Sequence, residues 1–352
     1  MKEVVKIQCP CDSGELVEMV APVVISASRS TDIPAFYADW FMKRLEKGHV
    51  SWINPFNRKN MYVSFAKTRA IVFWTKNPAP MLPYLDELDR RGLNYYFQFT
   101  LNDYDAEGFE PKVPLVARRV ETFKTLSNRL GPKRVIWRFD PILLSETITP
   151  RDILMRIWRV GNQIHGLTDR LVISFIDIAP YRKVQNNLKR DVEWGEPTNS
   201  IREPNQKEIE EIAIGLTKIR ERWQSEGWNI DIQTCSELID LSKFGISHSC
   251  CIDGELMEEV FPDDTALMEF LRPVQGDLFP SSAIPIVPVS NEAMKDQGQR
   301  KECHCVQSKD IGSYDTCAHF CVYCYANTSR KTVLKNIKNH REHPDSEGIV
   351  CP

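Results

Sequence analysis

The stretch "RVIWRFDPI", residues 134–142, decides the fold class of this chain. Its β-branched and aromatic residues are typical of a buried strand, and the amphipathic run at 151–166 that follows predicts a helix. Similar strand-like runs recur along the chain, each followed by a helical or loop segment: 23–28, 70–78, 95–102, 170–180 and 229–235. About six strand–helix units in succession predict an α/β fold with a parallel sheet covered by helices.

The regular repetition of this unit favours a full or partial (β/α) barrel over a short open sheet. In such barrels the reactive groups lie at the carboxyl ends of the strands. Strand alternation puts polar side chains together on one face near these ends: Gln98 with Thr100 and Asn102, Arg138 with Asp140, and Asp231 with Gln233 and Cys235. One such group alone more often caps a strand, but several together favour a binding site.

The composition divides the chain into four regions. We expect an N-terminal segment at 1–20, the barrel at 21–271, a proline-rich linker at 272–299 and a cysteine-rich C-terminal segment at 300–352 that packs on the barrel mouth. Within the barrel, the polar connection at 181–206 either overhangs the mouth as a substrate lid or is a surface excursion.

Composition and charge exclude several classes of protein. Of the 352 residues, 42% are hydrophobic and 26% are charged, as in an ordinary globular protein, and the formal charge of -3 gives no general attraction to nucleic acid or anionic membrane. The N-terminus lacks the features of a signal peptide, and no apolar run could span a bilayer. We expect a cytoplasmic protein with no membrane association. In a reducing compartment, clustered cysteines more often bind metal or do redox chemistry than form disulfides, and this chain has eleven cysteines.

The stretch "DTCAHFCVYCYANTS", residues 315–329, contains three cysteines within eight residues: Cys317, Cys321 and Cys324. Three thiolates in one loop suit a cubane iron–sulfur cluster, which normally takes four cysteines, so one iron would be left open for another ligand. Zinc is the alternative, because Cys3His sites use similar spacings and His319 or His304 could supply the fourth ligand.

The segment "CAHFCVYC" resembles the C-x3-C-x2-C signature of the radical S-adenosylmethionine (SAM) superfamily, including the aromatic residue before the last cysteine. The resemblance implies a [4Fe–4S] cluster on Cys317, Cys321 and Cys324, with SAM on the fourth iron and Tyr323 near the adenine. It implies that one electron cleaves SAM and yields a 5'-deoxyadenosyl radical, which abstracts hydrogen from a substrate. It also implies a (β/α) barrel and an electron donor such as flavodoxin or ferredoxin.

The position of the signature differs from that superfamily, which usually carries it near the N-terminus, after the first barrel strand. A circular permutation, or a tail folded back over the barrel mouth, would bring the loop to the same place. The segments "ISASRSTDIPAF", "FWTKNP" and "KDIGSYDTC" also resemble an uncharacterised bacterial family with a radical-SAM-like cysteine cluster at its C-terminus. "WTKNP" and "CYAN" are loosely similar to segments of the spore photoproduct lyase group, which repairs DNA.

The SAM contacts are predicted from location at the strand ends. The candidates are Ser26, Ser28, Lys76, Asn77, Gln98, Arg138 and Asp140. Arg138 or Lys76 could pair with the SAM carboxylate, although each could equally form a structural ion pair.

The other cysteines of the C-terminal third allow a second, auxiliary iron–sulfur cluster. Its ligands would be Cys303, Cys305, Cys235 and one of Cys250 or Cys251. The alternatives are a zinc site or ordinary buried thiols, and Cys235 could also donate hydrogen to a substrate radical. Cys9, Cys11 and Cys351 are expected to be peripheral.

Two function classes remain open on this basis: a radical SAM enzyme, which we favour, and a zinc-stabilised binding module without catalysis. The substrate is undetermined. The basic segment at 329–343 and the similarity to the lyase group suggest nucleic acid, whereas the mild acidity of the chain suggests a peptide or small molecule.

Overall fold

The computed structural model describes residues 5–55, 57–189, 200–235, 237–272 and 303–350. The predicted linker, from residue 273 onward, lies outside the described residues. Positions 190–199 of the long polar connection also lie outside them, as does Cys351.

The described residues form twelve strands: β1 (Lys6–Pro10), β2 (Leu16–Val20), β3 (Val24–Ala27), β4 (His49–Ile53), β5 (Asn60–Ser64), β6 (Ala70–Thr75), β7 (Asn94–Thr100), β8 (Val135–Ile142), β9 (Arg170–Phe175), β10 (Asp231–Cys235), β11 (Ser247–Ser249) and β12 (Lys309–Asp310). They also form ten α-helices: α1 (Ile33–Phe36), α2 (Ala38–Lys47), α3 (Leu85–Arg90), α4 (Val116–Leu130), α5 (Pro150–Gln163), α6 (Arg182–Leu188), α7 (Gln206–Ser225), α8 (Gly254–Val260), α9 (Thr265–Leu271) and α10 (Arg330–Glu342).

Eight strands form one large parallel sheet, in the order β11-β10-β9-β8-β7-β6-β3-β12. The six runs predicted as strands are β3, β6, β7, β8, β9 and β10, so the prediction of an α/β fold with a parallel sheet is confirmed. The sequence prediction missed β11 and β12, which have three and two residues. Within the described ranges no hydrogen-bonded ladder joins β11 to β12 at the two ends of this row.

The large sheet is buried on both faces, which is why its strands read as continuous hydrophobic runs. On one face, residues such as Phe73 and Phe97 join the main core beneath the helices. On the other face, residues such as Val72 and Tyr96 pack against α8, α9 and several cysteines. The second face turns polar toward the carboxyl ends of the strands, as the alternation predicts.

Local sequence signals set the ends of the longer helices. The Thr149 side chain and Asp152 form a capping box at the start of α5, with Pro150 in the first position. Asn205 and Glu208 form the equivalent box at α7. These helices pack against each other, and α7 also contacts β10 of the large sheet.

A smaller sheet has the order β1-β2-β5-β4, with β2 and β5 parallel and the other two pairs antiparallel. The predicted N-terminal segment therefore contributes two of its four strands. No helix among the described residues has the length and apolar character needed to cross a lipid bilayer.

Candidate functional site

The C-terminal segment enters the large sheet through β12, which pairs with β3. The carboxylate of Asp310 accepts hydrogen bonds from the hydroxyl groups of Ser26 and Ser28, both at 2.8 Å. It also accepts from the backbone amides of Arg29 at 2.8 Å and Gly312 at 2.9 Å. Two predicted SAM contacts, Ser26 and Ser28, thus fix the chain that leads into the cysteine-rich loop.

Gly312 lies against the end of β3 so closely that no side chain fits. A Cβ atom at this position would lie 1.8 Å from the Ser28 hydroxyl oxygen. The carbonyl of Gly312 accepts a hydrogen bond from the indole of Trp52 at 2.9 Å. In the sequence "KDIG", Lys309 and Asp310 form β12, the Asp310 carboxylate accepts the hydrogen bonds, and Gly312 permits the close approach to β3.

The three-cysteine loop, residues 317–324, follows β12 and lies at the carboxyl edge of the large sheet. Backbone contacts hold it there: the amide of Val322 donates to the carbonyl of Phe109 at 3.0 Å. Just before the loop, the hydroxyl of Tyr37 donates to the carbonyl of Thr316 at 2.7 Å.

Helix α6 covers the other side of this loop. The amide of Asn187 donates to the carbonyls of Cys324 at 2.8 Å and Asn327 at 3.1 Å. The ammonium group of Lys183 donates to the carbonyl of Ala326 at 3.0 Å. The described part of the polar connection at 181–206 therefore contacts the three-cysteine loop, while its role as a lid stays a prediction.

The three thiols lie in a poorly solvated environment. Burial raises the pKa of Cys317, Cys321 and Cys324, which keeps the free side chains neutral. At Cys321, the nearby ammonium of Lys76 acts in the opposite direction but does not reverse the shift. Binding to a metal would remove the protons from these thiols.

The three sulfurs do not form a ready-made site for one ion. A tetrahedral zinc ion, with zinc–sulfur bonds of about 2.3 Å, holds its sulfurs about 3.8 Å apart. Among the described residues, one group of three or more candidate ligands has all its ligand atoms within 4.8 Å, and it is Asp12, His49 and Glu347. Three thiols of one loop can also each bind a different iron of a cluster.

His319 is already engaged and is poorly placed to serve as a fourth ligand. Its Nε2 atom lies 2.7 Å from a carboxylate oxygen of Asp32, and its Nδ1 atom lies 3.4 Å from the carbonyl of Lys112. Its ring also packs on Phe36, with 4.6 Å between ring centres. The donor set is therefore three soft thiols, which fits a [4Fe–4S] cluster with one iron left for another ligand.

The group formed by Asp12, His49 and Glu347 already contains a cation. The buried guanidinium of Arg44 donates to Asp12 at 2.6 Å and lies 3.0 Å from the His49 ring. The carboxylate of Glu347 lies 3.0 Å from His49 and accepts a hydrogen bond from Tyr62 at 3.1 Å. This ion-pair network links the smaller sheet to the C-terminal segment.

Tyr323, predicted to lie near the adenine, belongs to a buried polar cluster. Its hydroxyl donates to Glu110 and accepts from Lys76 and Asn102, each at 3.2 Å. Lys76 also donates to Glu110 at 2.7 Å, and Arg119 lies 3.5 Å from the same carboxylate. Burial alone would raise the pKa of Glu110, but the two cations lower it to about 2. Lys76 therefore has a carboxylate partner within the chain.

The predicted contacts Gln98, Arg138 and Asp140 meet on the face of the large sheet that packs against α8 and α9. Arg138 donates to Asp140 at 2.7 Å and to Gln98 at 3.2 Å, and it approaches the Cys251 sulfur at 3.4 Å. Asp140 also accepts from Ser174 on the neighbouring strand. Asn77 differs from these residues, because its side chain accepts a hydrogen bond from the nearby amide of residue 79 at 3.4 Å.

The structure also brings together four of the remaining cysteines. The sulfur of Cys235, at the end of β10, lies 2.8 Å from that of Cys251, which follows β11. Cys251 interacts in turn with Cys305, and Cys305 with Cys303. Cys250 lies nearby, and burial raises its pKa to about 12. We call Cys235, Cys251, Cys303 and Cys305 the four-cysteine group.

A comparison with known families gives a match over residues 24–326 to the family described as "Domain of unknown function (DUF1848)". The chain belongs to this family. The match spans the large sheet from β3 to β12 and includes the three-cysteine loop, so the whole candidate site lies within the DUF1848 region. No curated protein and no solved structure matches the chain.

Sequence reasoning missed two residues of this DUF1848 site. Arg29 and Trp74 each have a buried nitrogen, Nη2 and Nε1, without a hydrogen-bond partner. Their side chains stack with 5.6 Å between the guanidinium carbon and the ring centre, and Arg138 lies 5.2 Å from the same ring. Arg29 is the second residue after β3 in the quoted segment "ISASRS", and its position just beyond a strand end was the available signal.

Proposed function

We propose that the chain is a radical SAM enzyme in which Cys317, Cys321 and Cys324 bind a [4Fe–4S] cluster and SAM binds the remaining iron. The observation that carries this proposal is the donor set at the carboxyl edge of the sheet: three thiols in one loop, with the nearby His319 bound to Asp32. When bound, the cluster would supply the electron that cleaves SAM and starts hydrogen abstraction.

The strand order supports a permuted arrangement of this superfamily. In the superfamily the cysteine loop follows the first barrel strand. Here it follows β12, which is last in sequence but lies at the edge of the large sheet beside β3. The unit of β12, three-cysteine loop and α10 is then the counterpart of the first strand–loop–helix unit. We propose that the eight-stranded sheet curves into a full or partial (β/α) barrel around the site.

The residues of the chain would bind and orient SAM at the inner face. The proposed contacts are Tyr323, Ser26, Ser28, Lys76, Asn77, Gln98, Arg138 and Asp140. Lys76 and Arg138 each have a carboxylate partner at 2.7 Å. A SAM carboxylate would therefore share one of these cations with Glu110 or Asp140. The low exposure of Arg138 and Gln98 would exclude water from this region.

The partners follow from the same proposal. One-electron chemistry requires a reductant, for which we propose flavodoxin or ferredoxin in a cytoplasmic setting. Helix α10 begins six residues after Cys324 and exposes Lys331, Lys335 and Lys338. This basic face would suit an acidic electron donor. The substrate could be a nucleic acid, a peptide or a small molecule.

The test is anaerobic purification followed by iron, sulfide and zinc analysis and an assay for 5'-deoxyadenosine with SAM and dithionite. We expect iron and sulfide, and 5'-deoxyadenosine formation that Cys321→Ala abolishes. The matched control is Cys9→Ala on β1, which should leave both properties unchanged. A colourless protein with one zinc ion and no SAM cleavage would instead support the zinc-stabilised binding module.

A further inference from the structure

The four-cysteine group is assembled from distant parts of the chain. Cys235 ends β10, Cys251 follows β11, and Cys303 and Cys305 precede β12. Cys251, Cys303 and Cys305 are buried and Cys235 is partly buried. Isolated buried cysteines behave as small apolar side chains and pack against aliphatic groups. Here the cysteine side chains interact with one another in a row instead, from Cys235 through Cys251 and Cys305 to Cys303.

The sulfurs of the row do not form a ready-made tetrahedral site. Cys235 and Cys251 lie 2.8 Å apart, but no three of the four sulfurs lie within 4.8 Å of one another. One zinc ion would draw all four sulfurs to about 3.8 Å from each other. A cluster with several metal atoms can take cysteine sulfurs at wider spacings, because the sulfurs bind different irons.

Several groups around the row are hydrogen-bond donors, and hydrogen bonds to its sulfurs help to set the reduction potential of an iron–sulfur cluster. The amide of Ile252 donates to the Cys305 sulfur at 3.3 Å, and Arg138 lies 3.4 Å from the Cys251 sulfur. Trp74 packs against the apolar cluster that contains three of the cysteines. Arg29 interacts electrostatically with Cys305, Cys251 and Cys303.

Two of these donors lack any acceptor. The Nη2 atom of Arg29 and the Nε1 atom of Trp74 are buried without a hydrogen-bond partner. A buried donor left in this state destabilises the fold, so its presence beside the thiols points to an acceptor that binds there. A negatively charged cluster of sulfides and thiolates would supply it.

We propose that Cys235, Cys251, Cys303 and Cys305 bind a second iron–sulfur cluster on the face of the large sheet that packs against α8 and α9. Ligation replaces the four thiol protons with iron–sulfur bonds and releases those protons to solvent. The site shares no residue with the three-cysteine loop. Its existence therefore does not depend on SAM chemistry at that loop.

The test separates the two sites by mutation after anaerobic reconstitution with ferrous iron and sulfide. The first variant carries Cys317→Ala, Cys321→Ala and Cys324→Ala, and the second carries Cys251→Ala and Cys305→Ala. We expect each variant to retain about half of the wild-type iron and sulfide, which is about four irons if both clusters are cubanes. Electron paramagnetic resonance of the reduced variants should give two different spectra that sum to the wild-type spectrum.

A measurement on the wild-type chain avoids any folding defect of the variants. Iodoacetamide labelling and mass spectrometry, before and after iron removal with a chelator, should show slower labelling of all four cysteines in the iron-bound protein than in the iron-free protein. The inference is overturned if the first variant is folded but free of iron. It is also overturned by one zinc ion per chain at these cysteines, or by a Cys235–Cys251 disulfide in anaerobically isolated protein. Loss of 5'-deoxyadenosine formation alone concerns only the three-cysteine loop.

Discussion

Asp310 lies directly opposite Ser26 in the large sheet, and its carboxylate accepts the hydrogen bond of the Ser26 hydroxyl at 2.8 Å. The two residues are 284 positions apart in the chain. Their contact joins β3 and β12, which are the first and last strands of this sheet in chain order. Because β12 has only two residues, side-chain hydrogen bonds must supply much of the stabilisation that keeps the C-terminal segment docked on the large sheet.

Replacing Asp310 with alanine should therefore release the C-terminal segment. The change leaves the Ser28 hydroxyl and the amides of Arg29 and Gly312 without their acceptor. We expect a loss of about 2 kcal/mol or more in the free energy of unfolding, together with faster proteolysis between 311 and 329. Urea unfolding and limited proteolysis measure these effects.

The matched control is Asp345→Ala. Asp345 pairs with Lys43 at 2.7 Å, but both side chains are largely exposed. Such solvent-exposed pairs contribute little to stability, so this variant should behave like the wild type. Equal effects of the two substitutions would contradict the docking role of Asp310.

Gly312→Ala tests the close approach to β3. The new Cβ atom would lie 1.8 Å from the Ser28 oxygen, so the segment must move away from the strand end. We expect reduced iron retention after reconstitution, measured by iron analysis and visible absorption. Ser313→Ala changes the neighbouring residue without such a clash and should retain iron normally. Full retention in both variants would show that the close approach is unnecessary.

Asn187→Ala tests the contact between α6 and the three-cysteine loop. It removes the hydrogen bonds to the carbonyls of Cys324 and Asn327. We expect faster hydrogen exchange of the loop and faster loss of iron in air, since solvent would reach the cluster more easily. Asn186→Ala, on the exposed face of the same helix, is the control. Identical exchange in the two variants would argue against a covering role for α6.

Hydrophobic patterning predicted the six longer strands of the large sheet because parallel strands are buried on both faces and read as apolar runs. It could not predict β12, since two residues carry no periodicity and their pairing depends on the Asp310 contacts. The same limit applies to the site. Alternation correctly put Arg138 and Asp140 on one face, whereas the partner of Lys76 is Glu110, which belongs to a loop and follows no strand pattern. The unpaired nitrogens of Arg29 and Trp74 arise only from the packing of distant segments.

Glu110→Gln tests whether the polar cluster behind the three-cysteine loop stabilises the fold through charge. The buried carboxylate lies 2.7 Å from the ammonium of Lys76 and 3.5 Å from the guanidinium of Arg119. Glutamine keeps the shape but leaves the buried Lys76 without its carboxylate partner and leaves Arg119 with Asp105 alone, at 3.3 Å. We expect the free energy of unfolding at pH 7 to fall by about 3–5 kcal/mol, measured by urea unfolding.

The pH dependence of this loss of unfolding free energy tests the role of the Glu110 charge more directly. The folded protein lowers the pKa of Glu110 from 4.5 to about 2, because Lys76 and Arg119 outweigh the effect of burial. The stabilisation is therefore complete above about pH 4.5 and is lost as the pH falls toward 2, where the carboxylate becomes protonated. The curves of unfolding free energy for wild type and Glu110→Gln should converge over this range. The control is Glu121→Gln, at an exposed pair with Lys124, which should follow the wild type at every pH. A constant difference between Glu110→Gln and wild type from pH 7 to 2 would mean that the contribution of Glu110 is one of shape and hydrogen bonding, independent of its charge.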